Sequence, residues 1–137
     1  MIELHVPGKP IALPRQRHRI VKCKHGKMFV QSYTPARGPA AQWKRIIAKM
    51  ARTMFDQPLD GPLQVSIEFV FQVKSKPQAW RIKTPDVDNL VKLILDALNG
   101  IAYHDDRQVA VLMAAKTESV ESCGAIISIK ELVLDDI

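Results

Sequence analysis

The stretch from Thr84 to Asp106 constrains this chain more than any other. Pro85 suits the turn before a helix or its first residue, and Asp86 or Asp88 can cap the free amides of a first turn. Asn99-Gly100 closes the helix, since glycine tolerates the left-handed conformation that ends many helices. Between them Val87, Leu90, Val91, Ile94 and Leu98 form an apolar stripe at helical spacing. Asp88, Lys92 and Asp96 recur every fourth residue on another face. From Asp88 to Asn99 such a helix advances roughly 17 Å at about 1.5 Å per residue. An extended run from Gly100 to Asp106 covers up to about 20 Å. The chain can therefore carry Asp106 back beside the helix start, which predicts Asp86, Asp88 and Asp106 around one spot.

The flanking segments supply the support. Met1 to Val6 alternates apolar and polar residues, a strand pattern broken by Pro7-Gly8-Lys9-Pro10. Arg17 to Tyr33 reads as a hairpin, with strands around His18–Cys23 and Met28–Tyr33 and a turn at Lys24-His25-Gly26-Lys27. Ala40 to Met54 is an amphipathic helix with Trp43, Ile46, Ile47, Met50 and Met54 on its apolar stripe. Leu63 to Val73 alternates strongly as a strand, and Lys74 to Lys83 is a basic, proline-containing linker. Val109 to Thr117 and Ala125 to Leu134 predict two more strands. The expected fold is α/β (α+β): one domain over residues 1–137, with a mixed or antiparallel sheet flanked by two main helices. The pattern leaves strand order open.

At 137 residues the chain can build a core without staples. No apolar run approaches the roughly 20 residues of a membrane span, and the first residues lack signal-peptide character. Cys23 and Cys123 are isolated, without metal or redox spacing, which predicts reduced thiols in a cytoplasm. Charge is more telling. The net charge is +6, and up to Phe55 the only acid is Glu3 against twelve Lys and Arg. Such asymmetry points to a polyanionic partner, most often nucleic acid. Arg15, Arg17, Arg19, Lys22, Lys24 and Lys27, on or beside the hairpin, are expected to lie along DNA backbones. Lys74, Lys76, Arg81 and Lys83 on the linker are further candidate DNA contacts.

Carboxylates without histidine or cysteine partners favour a hard cation, Mg²⁺ with Mn²⁺ as a substitute. In phosphodiester hydrolysis such an ion activates water and offsets charge, and Lys92, one turn beyond Asp88, can meet the scissile phosphate. The same residues also fit plain structural roles: Asp86 and Asp88 as caps, Asp88–Lys92 as a surface pair, Asp105-Asp106 as a turn.

The string Pro85-Asp86-Val87-Asp88-Asn89-Leu90-Val91-Lys92, then Leu95-Asp96-Ala97-Leu98-Asn99-Gly100, then Tyr103-His104-Asp105-Asp106-Arg107-Gln108-Val109, is more specific than spacing alone. It resembles the RusA family of Holliday junction resolvases, sharply over Lys83 to Val109 and more loosely over the whole chain. The resemblance implies a homodimeric, Mg²⁺-dependent endonuclease, often encoded by phages and prophages, that cuts four-way DNA junctions by paired nicks. It matches Asp86, Asp88 and Asp106 to the family's catalytic, metal-binding aspartates and Lys92 to its catalytic lysine. Asp105 and Asn89 would support that site, and Asp96 would be structural. Two rivals stay open: a nuclease preferring flaps or forks, and a DNA-binding protein without catalysis.

Overall fold

A computed structural model of the chain describes residues 1–14, 17–33 and 37–134. Its elements are β1 (Ile2–Pro7), β2 (Arg17–Lys22), β3 (Met28–Tyr33), α1 (Pro39–Met54), β4 (Leu63–Gln72), α2 (Val87–Leu98), a 3-10 turn at Asp106–Gln108, β5 (Val109–Ser119) and β6 (Gly124–Glu131). The architecture is the expected mixed α/β arrangement with two main helices.

The main sheet runs β1-β6-β4-β5, and β2-β3 forms a separate two-stranded sheet. β6 pairs antiparallel with β1 and β4, whereas β5 pairs parallel with β4. A parallel pair needs a crossover, and the linker, α2 and the return to Val109 provide it. β4 buries Leu63, Val65, Ile67, Phe69 and Phe71, the alternation expected of a strand with one covered face. Register extends that face across the sheet: Leu4 opposes Ile127, Ile127 opposes Ile67, and Ile67 opposes Ala114. On β5 the same face carries Leu112, Ala114, Lys116 and Glu118, opposite Val65, Ile67, Phe69 and Phe71.

α2 buries Leu90, Val91, Leu93, Ile94, Ala97 and Leu98, packing against α1 and β5. Val87, placed on the stripe by its spacing, is 38% exposed. On α1 the buried row is Trp43, Ile47 and Ala51, continued by Phe55 just beyond the helix. Ile46 and Met54 are 37% and 48% exposed, so the expected stripe is rotated. The i, i+4 row ending at Phe55 covers the place that Met54 would have taken. Among the described residues no helix is long and apolar enough to cross a membrane, and both cysteines are free thiols.

α2 ends as its sequence requires. Gly100 adopts φ 77° and its N–H donates to the Tyr103 carbonyl at 2.8 Å. Further bonds from Ile101 and Ala102 to the Leu98 carbonyl fold the chain into a compact turn. A side chain at Gly100 would meet no atom within 4 Å, so G100A isolates the backbone term. The substitution is expected to cost about 1 kcal/mol in urea unfolding; an unchanged midpoint would show that the left-handed turn is not what closes α2.

Candidate active site

Asp86 occupies the N-cap position of α2, and its carbonyl accepts the Leu90 N–H at 3.2 Å. Its side chain makes no cap hydrogen bond and is exposed, so the expected capping role is not taken up. Two positions on, Asp88 points from the exposed face of the helix, with Lys92 one turn beyond it. Asp88 and Lys92 line a cavity of about 390 Å³ together with Val91 and Leu95 of the same helix, Leu112 and Ala114 of β5, and Asp106. α2 and β5 form its walls, and the return from Gly100 brings Asp106 to its edge.

The turn at Gly100–Tyr103 shortens that return. Asp106 lines the same cavity as Val87 and Asp88 of the first turn of α2 and Val91, Lys92 and Leu95 beyond it. Asp88, Lys92 and Asp106 share the cavity, whereas Asp86 is not among its lining residues. Among the described residues no three acidic, histidine or cysteine side chains stand close enough to hold an ion by themselves.

Adjacent acids in the return have unlike settings. Asp105 accepts the Arg107 N–H at 2.9 Å, while the Gln108 side chain accepts the Asp105 N–H at 3.1 Å, a reciprocal cap of the 3-10 turn. The backbone bond from Arg107, and then the interaction with Asp106, hold the Asp105 carboxyl below the usual range. Burial, then hydrogen bonding to Asp105 and the charges of Asp105 and Asp96, push Asp106 upward. Among the described residues no Lys or Arg forms an ion pair with Asp106. Asp105 locks the turn, and Asp106 is left facing the cavity in a field of like charge.

Several supports carried no functional signal in the sequence. Tyr103 is fully buried and its hydroxyl donates to the Leu95 carbonyl at 2.7 Å. The Asn99 N–H, the ordinary partner of that carbonyl, goes to Asp96 at 3.3 Å, so Tyr103 satisfies a helix-end acceptor. Burial, and then the negative charges of Asp106, Asp96 and Asp105, push its hydroxyl pKa far up. The Gln108 amide donates to the carbonyls of Leu59 and Gly61, tying the acidic turn to the loop before β4. Its spacing from Asp105 is that of a capping box, the signal that could have found it.

Lys116 was also missed. Its ammonium donates to the carbonyls of Lys83 at 2.7 Å and Pro85 at 2.8 Å, fixing the linker next to the peptide of Asp86. Arg81, a candidate DNA contact by sequence, is only 16% exposed at its side chain. Its guanidinium donates to Glu118 at 2.8 Å and to the Thr84 carbonyl at 3.2 Å, and lies 4.3 Å from the Phe71 ring centre. It faces β5 and not solvent. The other linker lysines, Lys74, Lys76 and Lys83, are exposed, as are Lys22, Lys24 and Lys27 of the hairpin. Arg19 is exposed too, with its Nε donating to Gln31 across the hairpin at 2.9 Å. Arg15 lies outside the described residues, and of Arg17 only the backbone is described.

A family model described as endodeoxyribonuclease RusA matches residues 7–130. The chain belongs to the RusA family. Over 73 residues it is 34% identical to the crossover junction endodeoxyribonuclease rusA of Lactococcus phage r1t, covering 52% of this chain and 56% of the phage protein. The match thus spans just over half the length of that relative. It is also 31% identical over 132 residues to the uncharacterized protein YqaN of Bacillus subtilis (strain 168), covering 88% and 89% of the two chains. In this RusA-family chain the cavity, the capped acidic turn and the pinned linker all fall within the matched span.

The electrostatics has a measurable sign. A carboxyl raised in the folded state binds protons more readily than in the unfolded chain, so its contribution to stability falls as pH rises through the carboxylate range. D106N should therefore raise the melting temperature near about pH 7.5, and the gain should disappear at about pH 3, where the wild-type carboxyl is neutral too. Thermal melts at both pH values check this; a loss of stability at neutral pH would show that Asp106 is favourably paired.

Proposed function

We propose that this chain is a divalent-cation-dependent endodeoxyribonuclease that acts as a homodimer on four-way DNA junctions, cutting them by paired nicks. The observation that carries the reading is the shared cavity of Asp88, Lys92 and Asp106, within a chain of the RusA family. The phage relative's name, crossover junction endodeoxyribonuclease, supplies the substrate class. Paired nicks across a branch point call for two sites related by a two-fold axis, which an isologous dimer provides.

The donor set fits a hard cation. It is all carboxylate; among the described residues no Lys or Arg pairs with Asp106, and burial, then its acidic neighbours, raise its pKa. Mg²⁺ is commonly held by one or two carboxylates, with waters and substrate phosphate completing the shell. Asp88 from the α2 wall and Asp106 from the edge of the cavity would hold it, and Asp86 would be its third ligand. A bound ion supplies charge neutralisation and a more acidic water. Lys92 brings an ammonium to the same cavity, where it can meet charge developing on a phosphate oxygen. Leu95, Leu112 and Ala114 give the pocket an apolar wall that strengthens those interactions. The tyrosine and the capped turn keep Asp106 aimed at the same place.

Nicking of a labelled synthetic junction, with and without EDTA, tests the assignment. D86N, D88N and D106N are each expected to cut at least roughly 10³-fold more slowly while binding the junction as tightly as wild type. K92A should lose roughly 10²-fold or more in kcat with affinity retained. Near-normal turnover at saturating Mg²⁺ would remove a residue from the site, and cutting of forks or flaps in preference to junctions would change the substrate.

The hairpin's role is separable from the chemistry. Replacing Lys22, Lys24 and Lys27 together by Gln should weaken binding to junction and duplex alike, lowering the slope of log K against log salt by about 0.9 for each phosphate that is no longer neutralised. An unchanged slope would place the hairpin away from DNA.

A further inference from the structure

The linker between β4 and α2 holds an aromatic residue that the catalytic reading does not use. Trp80 is 71% exposed, and Ile82, two residues on, is 94% exposed. Together they give this linker an exposed aromatic face with an aliphatic neighbour, a surface suited to flat apolar contacts. The segment carrying it is fixed. The Arg81 N–H donates to the Lys116 carbonyl at 2.8 Å, and Glu118 N–H donates to the Gln78 carbonyl at 3.1 Å. Gln78 N–H in turn donates to the Glu118 carboxylate at 2.9 Å, the group that also holds the Arg81 guanidinium. Arg81 is turned in over Phe71, whereas Trp80 and Ile82 on either side of it are exposed.

The charge around this ridge selects its partner. From Val73 to Pro85 there is no acidic residue, and Lys74, Lys76 and Lys83 are all exposed. A second copy docking here through a two-fold axis would set these lysines against their own counterparts. A nucleic acid brings the opposite charge for the lysines and an unstacked base for the indole. The ridge is also tethered near the proposed cutting site: Asp86 lies six positions beyond Trp80, a reach of at most about 20 Å.

We propose that Trp80, backed by Ile82, is a base-stacking platform that receives an unstacked nucleobase at the branch of the DNA substrate, beside the strand to be cut. This rests on the reading of the chain as a branched-DNA nuclease for its substrate, and not for its chemistry. In the open form of a four-way junction the base pairs at the crossover present faces without a stacking neighbour, whereas a linear duplex keeps its bases stacked. The platform therefore adds discrimination between branched and linear DNA to the sequence-independent attraction of the lysines.

Binding measured in EDTA separates the proposal from catalysis. With a synthetic four-way junction, Trp80→Ala should raise Kd roughly 10- to 100-fold, Trp80→Phe should restore most of the affinity, and the salt slope should stay at the wild-type value. Affinity for a linear duplex of the same length should change less than threefold. Trp43 is buried, so quenching of tryptophan fluorescence by the junction reports Trp80 and should vanish in Trp80→Phe. Three results would overturn the proposal: junction affinity within twofold of wild type in Trp80→Ala, equal losses for junction and duplex, or a dimer that dissociates in Trp80→Ala. Wild-type protein that binds junctions in this manner but fails to nick them with Mg²⁺ would instead refute the nuclease reading and leave the platform standing.

Discussion

The burial of α2 is the constraint on which the rest of the structure depends. Six of its side chains are buried, and they fix the rotation of the helix about its axis. That rotation leaves Asp88 and Lys92 over β5 on the open edge of the sheet. Shifting the apolar pattern by a single position would turn the helix by about 100° and carry both charged groups away from Asp106. The hydrophobic core and the candidate chemistry are thus set by one register, and core packing becomes a determinant of site geometry.

Electrostatics works against the fold at the same place. Asp105 and Asp106 are neighbours in sequence with opposite perturbations, one settled by backbone donors and the other unsettled by burial and like charge. Under the proposed reading, a cation supplied from outside would offset that concentrated negative charge. The surrounding bonds from Tyr103, Gln108 and Asp105 itself make the arrangement sustainable by locking the backbone around it.

Much of this was legible in the sequence because it follows local periodicity. The alternation of Leu63 to Phe71 and the stripe of α2 correspond closely to the strand and helix observed. Strand order was not legible, since β5 is separated from its parallel partner by a long crossover and no local pattern names that partner. The reach argument carried Asp106 back toward Asp88, and the two line one cavity, although bonds within Gly100–Tyr103 make the return a turn and not the extended run it assumed. Arg81 looked like any linker cation because only the fold places Glu118 and Phe71 beside it. Lys116 was hidden for the same reason: its partners are backbone carbonyls, which every residue possesses.

The parallel pairing of β4 with β5 has a further consequence. Asp86, Asp88, Lys92 and Asp106, with the linker before them, all lie on the single connection between two adjacent strands. The residues proposed to do the chemistry thus form one contiguous segment, with β1, β6 and α1 outside it. An exchange of that one segment between related chains would carry the four proposed residues together, while Leu112, Ala114 and Lys116 of β5, which line the cavity and pin the linker, would stay behind.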